Sequence, residues 1–192
     1  MAFPVRSTPC TPSEYLALER AASVRSELID GRVVAMAGAS RAHSLIAINL
    51  GREVSGALRG QPCETYDSDM RVKVADTGYV YPDLTIACGE ARFEDDHLDT
   101  LVDPTVIFEI LSPSTEAFDR GEKFARYRRI GSLREYVLVS QDRARVERYA
   151  RAGDLWVLAV VEGLDGVLAL ESAPCRIPLR AVYERVAVAE GG

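Results

Sequence analysis

Apolar residues recur every second position along several short stretches and every third or fourth along others, so strands and helices can be assigned first. Thr11-Pro12-Ser13-Glu14 is a capping box with proline at the first helical position, which predicts a helix to about Ala22. Residues 27–36 read as two short strands around an Asp30-Gly31 hairpin turn. Ser40 caps a second helix reaching about Arg59, ended by Gly60-Gln61-Pro62, with His43, Ile46, Ala47, Leu50, Val54 and Ala57 as its core stripe. Met70, Val72 and Val74 alternate and mark a strand that turns at Asp76-Thr77-Gly78 into residues 79–88, read as one buried strand. Residues 89–103 read as a surface loop with a short helical turn, and residues 106–111 as another buried strand.

Asp119-Arg120-Gly121-Glu122 reads as a second capping box, opening a helix that stops at Gly131. Residues 135–140 and 146–149 read as paired strands joined at Gln141-Asp142-Arg143. Further strands are expected at 155–161 and 167–170, a short helix at 180–186, and a loose tail at 187–192. No repeat, low-complexity run or linker interrupts this order. The expectation is one α+β domain over residues 1–192 with a mixed central sheet.

Composition narrows the class. The chain has 192 residues, 47% of them hydrophobic, enough for a substantial core. The first ten residues lack a basic start followed by an apolar run, so no secretory signal is expected, and no apolar run is long enough to span a bilayer. Cys10, Cys63, Cys88 and Cys175 show no metal-like spacing and read as reduced thiols of a cytoplasmic protein. The net charge of −6 argues against a nonspecific coat on nucleic acid. Yet residues 119–151 carry ten Lys/Arg against five Asp/Glu, a basic stretch compatible with phosphate binding and equally with a solvated helix face. Only Lys73 and Lys123 among the 23 basic residues are lysines. Lys73 is expected to face solvent; Lys123 lies near the acids and keeps a compact ammonium that arginine does not supply.

The candidate chemistry lies in residues 82–127. An acid within an apolar strand is costly unless it is paired or binds a metal, and both Asp83 and Glu109 read as such acids. Side chains alternate across a strand, so Asp83 shares a face with Thr85 and Ala87, and Glu109 with Ile107 and Leu111. Neighbouring strands in suitable register would bring the two carboxylates together. Magnesium suits such a pair, since it takes few protein oxygens and keeps several waters; the backbone carbonyl of Ile110 is a third candidate ligand. Lys123 could orient the attacking water or stabilise phosphorane charge. Tyr127 follows one turn later on the same helix face. Glu27 could reach the metal through a water, and His43, near a helix N-terminus, is expected to be neutral. Each residue has a structural alternative: Asp83 capping a turn, Glu109 paired with a buried Arg134, Glu27 on the surface, His43 and Tyr127 in the core, Asp119 as a helix N-cap.

One family carries the whole series. Glu27-Leu28-Ile29-Asp30-Gly31, a helical His43, Pro82-Asp83-Leu84, Glu109-Ile110-Leu111-Ser112-Pro113-Ser114-Thr115, Asp119-x3-Lys123-x3-Tyr127 and Glu135-Tyr136-Val137 together resemble the Uma2 family of putative restriction endonucleases, in the PD-(D/E)xK nuclease-like superfamily. The resemblance spans about residues 12–151. It implies a restriction-endonuclease-like core, a central mixed sheet flanked by helices, and a homodimer. By position, Asp83 and Glu109 would bind Mg2+ (with Mn2+ able to substitute), Glu27 would assist from the first helical region, and Lys123 would be the catalytic lysine. The superfamily's usual lysine position, two residues after the second acid, holds Leu111 here, so Lys123 must reach the site from the helix.

These expectations describe a magnesium-dependent endonuclease that hydrolyses DNA phosphodiester bonds by a metal-activated water. Two alternatives stand beside it. One is a non-cleaving nucleic-acid or protein-binding module on the same fold, holding DNA through Arg126, Arg128 and Arg129. The other is a hydrolase of small phosphoesters.

Overall fold

The two main sheets separate because the stretch read as one strand, residues 79–88, breaks at Pro82. Proline has no N–H for the ladder. The computed structural model describes residues 9–36, 38–74 and 78–189; the Asp76-Thr77 part of the expected turn and residues 190–192 of the expected tail lie outside them.

Helix α1 (Pro12–Ala21) opens on the Thr11 capping box, and β1 (Ser26–Ile29) and β2 (Arg32–Ala35) form the expected hairpin. Its turn residues Asp30 and Gly31 both have positive φ, 49° and 74°, the conformation that a two-residue hairpin of this type demands. Helix α2 (Arg41–Ala57) is capped by the Ser40 side chain and buries Ile46, Leu50 and Val54; Ala57 is exposed, and Leu58 takes its place inside. The middle strands are β3 (Cys63–Asp67), β4 (Arg71–Val74), β5 (Gly78–Val80), β6 (Leu84–Cys88), β7 (Thr100–Leu101) and β8 (Val106–Ile110). Beyond them come β9 (Glu135–Val139), β10 (Arg145–Ala152), β11 (Leu155–Glu162), β12 (Val167–Ala169), β13 (Arg176–Pro178) and α5 (Leu179–Val182).

The central sheet has six strands in the order β11-β10-β9-β8-β6-β3, mixed because β8 and β9 run parallel. The second has five, β2-β1-β5-β4-β7, and β12-β13 form a small hairpin. Along β8 the alternation holds. Val106, Phe108 and Ile110 pack toward α2 and α5, while Ile107 packs on the opposite face with Tyr127, Leu133 and Tyr136. Among the described residues no helix is long and apolar enough to cross a membrane.

Several expectations change. Cys63 and Cys88 are joined in a disulfide rather than reduced, because β3 and β6 pair antiparallel with these two residues opposite each other. β3 and β13 gave no clear alternation, and β13 forms only with β12 beside it. The loop 89–103 carries β7, which pairs with β4. The tail is tied as far as Ala189, whose N–H donates to the Asp142 carbonyl at 2.8 Å. Lys73 is half-buried and pairs with Glu94 at 2.7 Å, because residues 89–103 fold over the strand that carries it.

The helix read from Asp119 starts earlier. It runs as α3 (Glu116–Phe118), a π-turn over Asp119–Lys123, and α4 (Phe124–Tyr127). Asp119 is therefore inside the helical run and buried, not an N-cap.

Candidate active site

Asp83 lies where the chain crosses from one sheet to the other, between β5 and β6. Leu84 pairs with Phe108 in the antiparallel β6–β8 ladder, so Asp83 stands abreast of Glu109 at the end of the ladder. The Ile110 N–H donates to Asp83 Oδ2 at 2.6 Å, locking the aspartate to the strand that bears Glu109. Its other oxygen, Oδ1, lies 3.1 Å from His43 Nε2 on the first turn of α2. Two elements thus hold one carboxylate, and neither oxygen points at random.

Glu109 is only 4% exposed. Its partners are Lys123 Nζ at 2.8 Å and the Tyr127 hydroxyl at 2.6 Å, both on Oε1. Arg134, the alternative partner expected to be buried, is exposed instead. Lys123 also lies 3.5 Å from Glu27 Oε1 and 3.9 Å from Asp119 Oδ1. Glu27 sits on β1, not in a helical region, and accepts the Tyr81 N–H at 3.0 Å. That bond ties the second sheet to the crossing that delivers Asp83.

Four carboxylates, Glu27, Asp83, Glu109 and Asp119, therefore gather around one ammonium and one imidazole. The electrostatics follow from that imbalance. Burial drives the Glu109 carboxyl well above the usual carboxylate range; Lys123 opposes this, while Asp119 and Asp83 add to it. Asp119 is raised by burial too, opposed by Lys123 and Thr115 and reinforced by Asp83 and Glu27. Burial alone would lower the Lys123 pKa, but Glu109, Glu27 and Asp119 outweigh it and the group stays an ammonium. At His43 the pKa shifts opposite to the direction expected of a helix N-terminus. Burial lowers it, yet Asp83, with Asp119 behind it, outweighs burial and leaves the pKa above the ordinary histidine value.

The excess of hard oxygen donors suits a divalent cation such as magnesium, which takes few protein ligands and would relieve the carboxylate repulsion. Among the described residues no group of three or more His, Cys, Asp or Glu side chains is arranged to hold a metal ion. Asp83 and Glu109, with the Ile110 carbonyl, are what this end of the ladder offers, and water or substrate oxygens would complete the shell.

The geometry brings together Glu27, His43, Asp83, Glu109, Lys123 and Tyr127. It leaves the three arginines apart from this cluster. Arg126 is pinned to Asp30 and Glu122 and lies over the Phe118 ring, whereas Arg128 and Arg129 are exposed, Arg128 above the Phe124 ring. Asp119 is the member that reading the sequence assigned to a cap. Its spacing, four residues before Lys123 and eight before Tyr127, was the available signal.

The family model described as Uma2, a putative restriction endonuclease, matches residues 12–179, past the 151 to which the motifs extend. The uncharacterized protein sll1609 of Synechocystis sp. is 37% identical over 155 residues, covering 80% of this chain and 88% of its own. A second uncharacterized Synechocystis protein, slr1290, is 32% identical over 179 residues, covering 92% and 93%. Among solved structures, a putative nuclease belonging to DUF820 from Anabaena variabilis superposes with a TM-score of 0.74 at 16% identity, over 91% of this chain and 98% of its own; it shares the fold.

Proposed function

The chain belongs to the Uma2 family of putative restriction endonucleases, and from that premise we propose that it is a magnesium-dependent endonuclease acting on DNA phosphodiester bonds. The observation that carries this reading is the 2.8 Å contact between Lys123 and Glu109. A lysine absent from position 111 reaches the second acid from the helix, so acid, acid and lysine stand as one group.

Asp83, Glu109 and the Ile110 carbonyl would hold Mg2+, with Mn2+ able to substitute. When bound there, the ion supplies a lowered water pKa and charge stabilisation at the scissile phosphate. The chain's own groups do the rest. Lys123 keeps its proton at the pH of reaction, so it acts by orienting the attacking water and stabilising phosphorane charge rather than as a base. Tyr127 donates to Glu109 and fixes the direction of that carboxylate. His43 and the Ile110 N–H do the same for Asp83, and Glu27 holds the Lys123 ammonium from the opposite sheet. Exposed Arg128 and Arg129 are the DNA contacts, with Arg126 joining if it leaves Asp30.

Calorimetric titration with magnesium and manganese tests the site before any substrate is chosen. Wild type should bind, and Asp83→Ala and Glu109→Ala should not. Plasmid cleavage should then be lost in both variants, and mostly lost in Lys123→Ala with metal binding retained. Equal cleavage by wild type and Glu109→Ala sinks the reading. Salt-sensitive DNA binding with no cleavage product in either metal favours the non-cleaving module.

A further inference from the structure

The helical run that carries Lys123 departs from α-geometry at the site itself. Residues on an α-helix advance about 100° each, so side chains spaced by four drift about 40° at every step. Asp119, Lys123 and Tyr127, at i, i+4 and i+8, would fan away from a common line. The π-turn over Asp119–Lys123 closes its hydrogen bond one residue later and removes drift. All three side chains are buried toward Glu109, two of them bonding its carboxylate and the third lying 3.9 Å from Lys123.

π-turns are rare, and this one is held from outside. The buried Tyr136 hydroxyl, on β9, donates to the main-chain carbonyl of Asp119 at 3.0 Å. Arg120, within the turn, sets both terminal nitrogens on the Glu147 carboxylate and its Nε on Glu116 at 2.8 Å. Phe124, directly after Lys123, stacks on the Tyr136 ring at 5.0 Å and packs against Tyr149 and Trp156. The Tyr136 ring also packs against that of Tyr127 at 5.2 Å, so its ring reaches the site through Tyr127 and its hydroxyl through the turn.

We infer that Tyr136 is a positioning residue for Lys123: its hydroxyl bond to the Asp119 carbonyl holds the π-turn that aligns Asp119, Lys123 and Tyr127 on Glu109. The catalytic consequence rests on the nuclease reading; the alignment does not. The Glu135-Tyr136-Val137 motif thereby acquires a job at its centre. Glu135 itself points away, bonding Arg148, Ser172 and the Glu171 N–H.

Side-chain 15N NMR of lysine tests the alignment, because the chain has only Lys73 and Lys123. The buried Lys123 ammonium should give a slowly exchanging resonance, assigned by its absence in Lys123→Arg, with Lys73 as internal control. Tyr136→Phe removes one oxygen and keeps the ring. It should shift the Lys123 resonance or broaden it beyond detection while leaving that of Lys73 in place. In the cleavage assay kcat should fall about tenfold or more with KM little changed, the signature of a misaligned group. Glu147→Gln, which loosens the Arg120 fork, should move both readouts the same way and decides the matter if Tyr136→Phe does not fold. An unmoved Lys123 resonance in a folded variant overturns the positioning role. A moved resonance with wild-type kcat overturns its catalytic consequence. Should the wild type cut nothing, the nuclease reading fails and the resonance alone decides the alignment.

Discussion

Lys123 Nζ and Glu109 Oε1 lie 2.8 Å apart, each side chain less than a tenth exposed. A buried pair of this kind is strongly destabilised by removing one partner, which strands the other charge, and far less by removing both. Glu109→Met or Lys123→Met alone should therefore lower unfolding free energy by about 3 to 5 kcal/mol. Glu109→Met with Lys123→Met should recover most of that loss. Urea denaturation of the two singles and the double closes the cycle; additive losses would mean that the pair is not coupled.

The Glu147 carboxylate works at a distance from the acids. Burial raises its pKa, but Arg120 and Arg145 outweigh burial and hold it below the ordinary value of 4.5. A depressed carboxylate contributes stability that is present above its unfolded pKa and is lost as pH falls through the folded one. Wild type should exceed Glu147→Gln in melting temperature at pH 6, and the gap should shrink steadily below about pH 4.5. Thermal melts of both proteins across that range check it. A gap that widens with acid would mean another group carries the effect.

Arg71 is enclosed by the rings of Tyr15, Tyr79 and Tyr81, with its guanidinium carbon 5.9 to 6.0 Å from each centroid. It donates to Thr100 Oγ1 and to the Tyr81 hydroxyl, and its Nη2 lies 2.8 Å from Asp99. A lysine cannot reproduce that planar fork. Arg71→Lys should cost about 2 kcal/mol or more, read as a lowered denaturation midpoint. Because Tyr81 also ties Glu27, metal affinity should weaken in the same variant.

The Cys63–Cys88 disulfide spans 25 residues of chain and clamps β3 to the far end of the strand that Asp83 precedes. Reduction should lower stability by about 3 kcal/mol, the figure expected for closing a loop of this size. Denaturation with and without reductant measures it, and the variant with both cysteines changed to serine should be indifferent to reductant. A wild type equally indifferent would show that the bond adds nothing beyond the ladder it joins.

Most of the helices and strands were legible as local pattern. The Thr11 capping box, the Asp30-Gly31 turn and the Ser40 cap are signals carried by adjacent residues, and each element begins where they say. So is the alternation along β8 that turns Glu109 away from α2. The two acids and the lysine were legible too, as costly or scarce residue types in apolar surroundings.

What adjacent residues could not supply were the contacts between elements distant in the chain. Asp119 looked like a cap because Asp-x-x-Glu is a cap in isolation; only Tyr136, Glu147 and Glu109, brought from other strands, make it a buried member of a π-turn. Residues 79–88 read as one strand because they are mostly apolar, and an apolar run does not reveal that Gly78–Val80 and Leu84–Cys88 pair in different sheets. The disulfide depends on the pairing of β3 with β6, and the raised His43 pKa on an aspartate forty residues away. Local pattern determines which residues are helical, extended or turned, because backbone preference and capping act within a few residues. Which acids share a proton, a lysine or a metal is decided by tertiary packing, because charge and desolvation act through space.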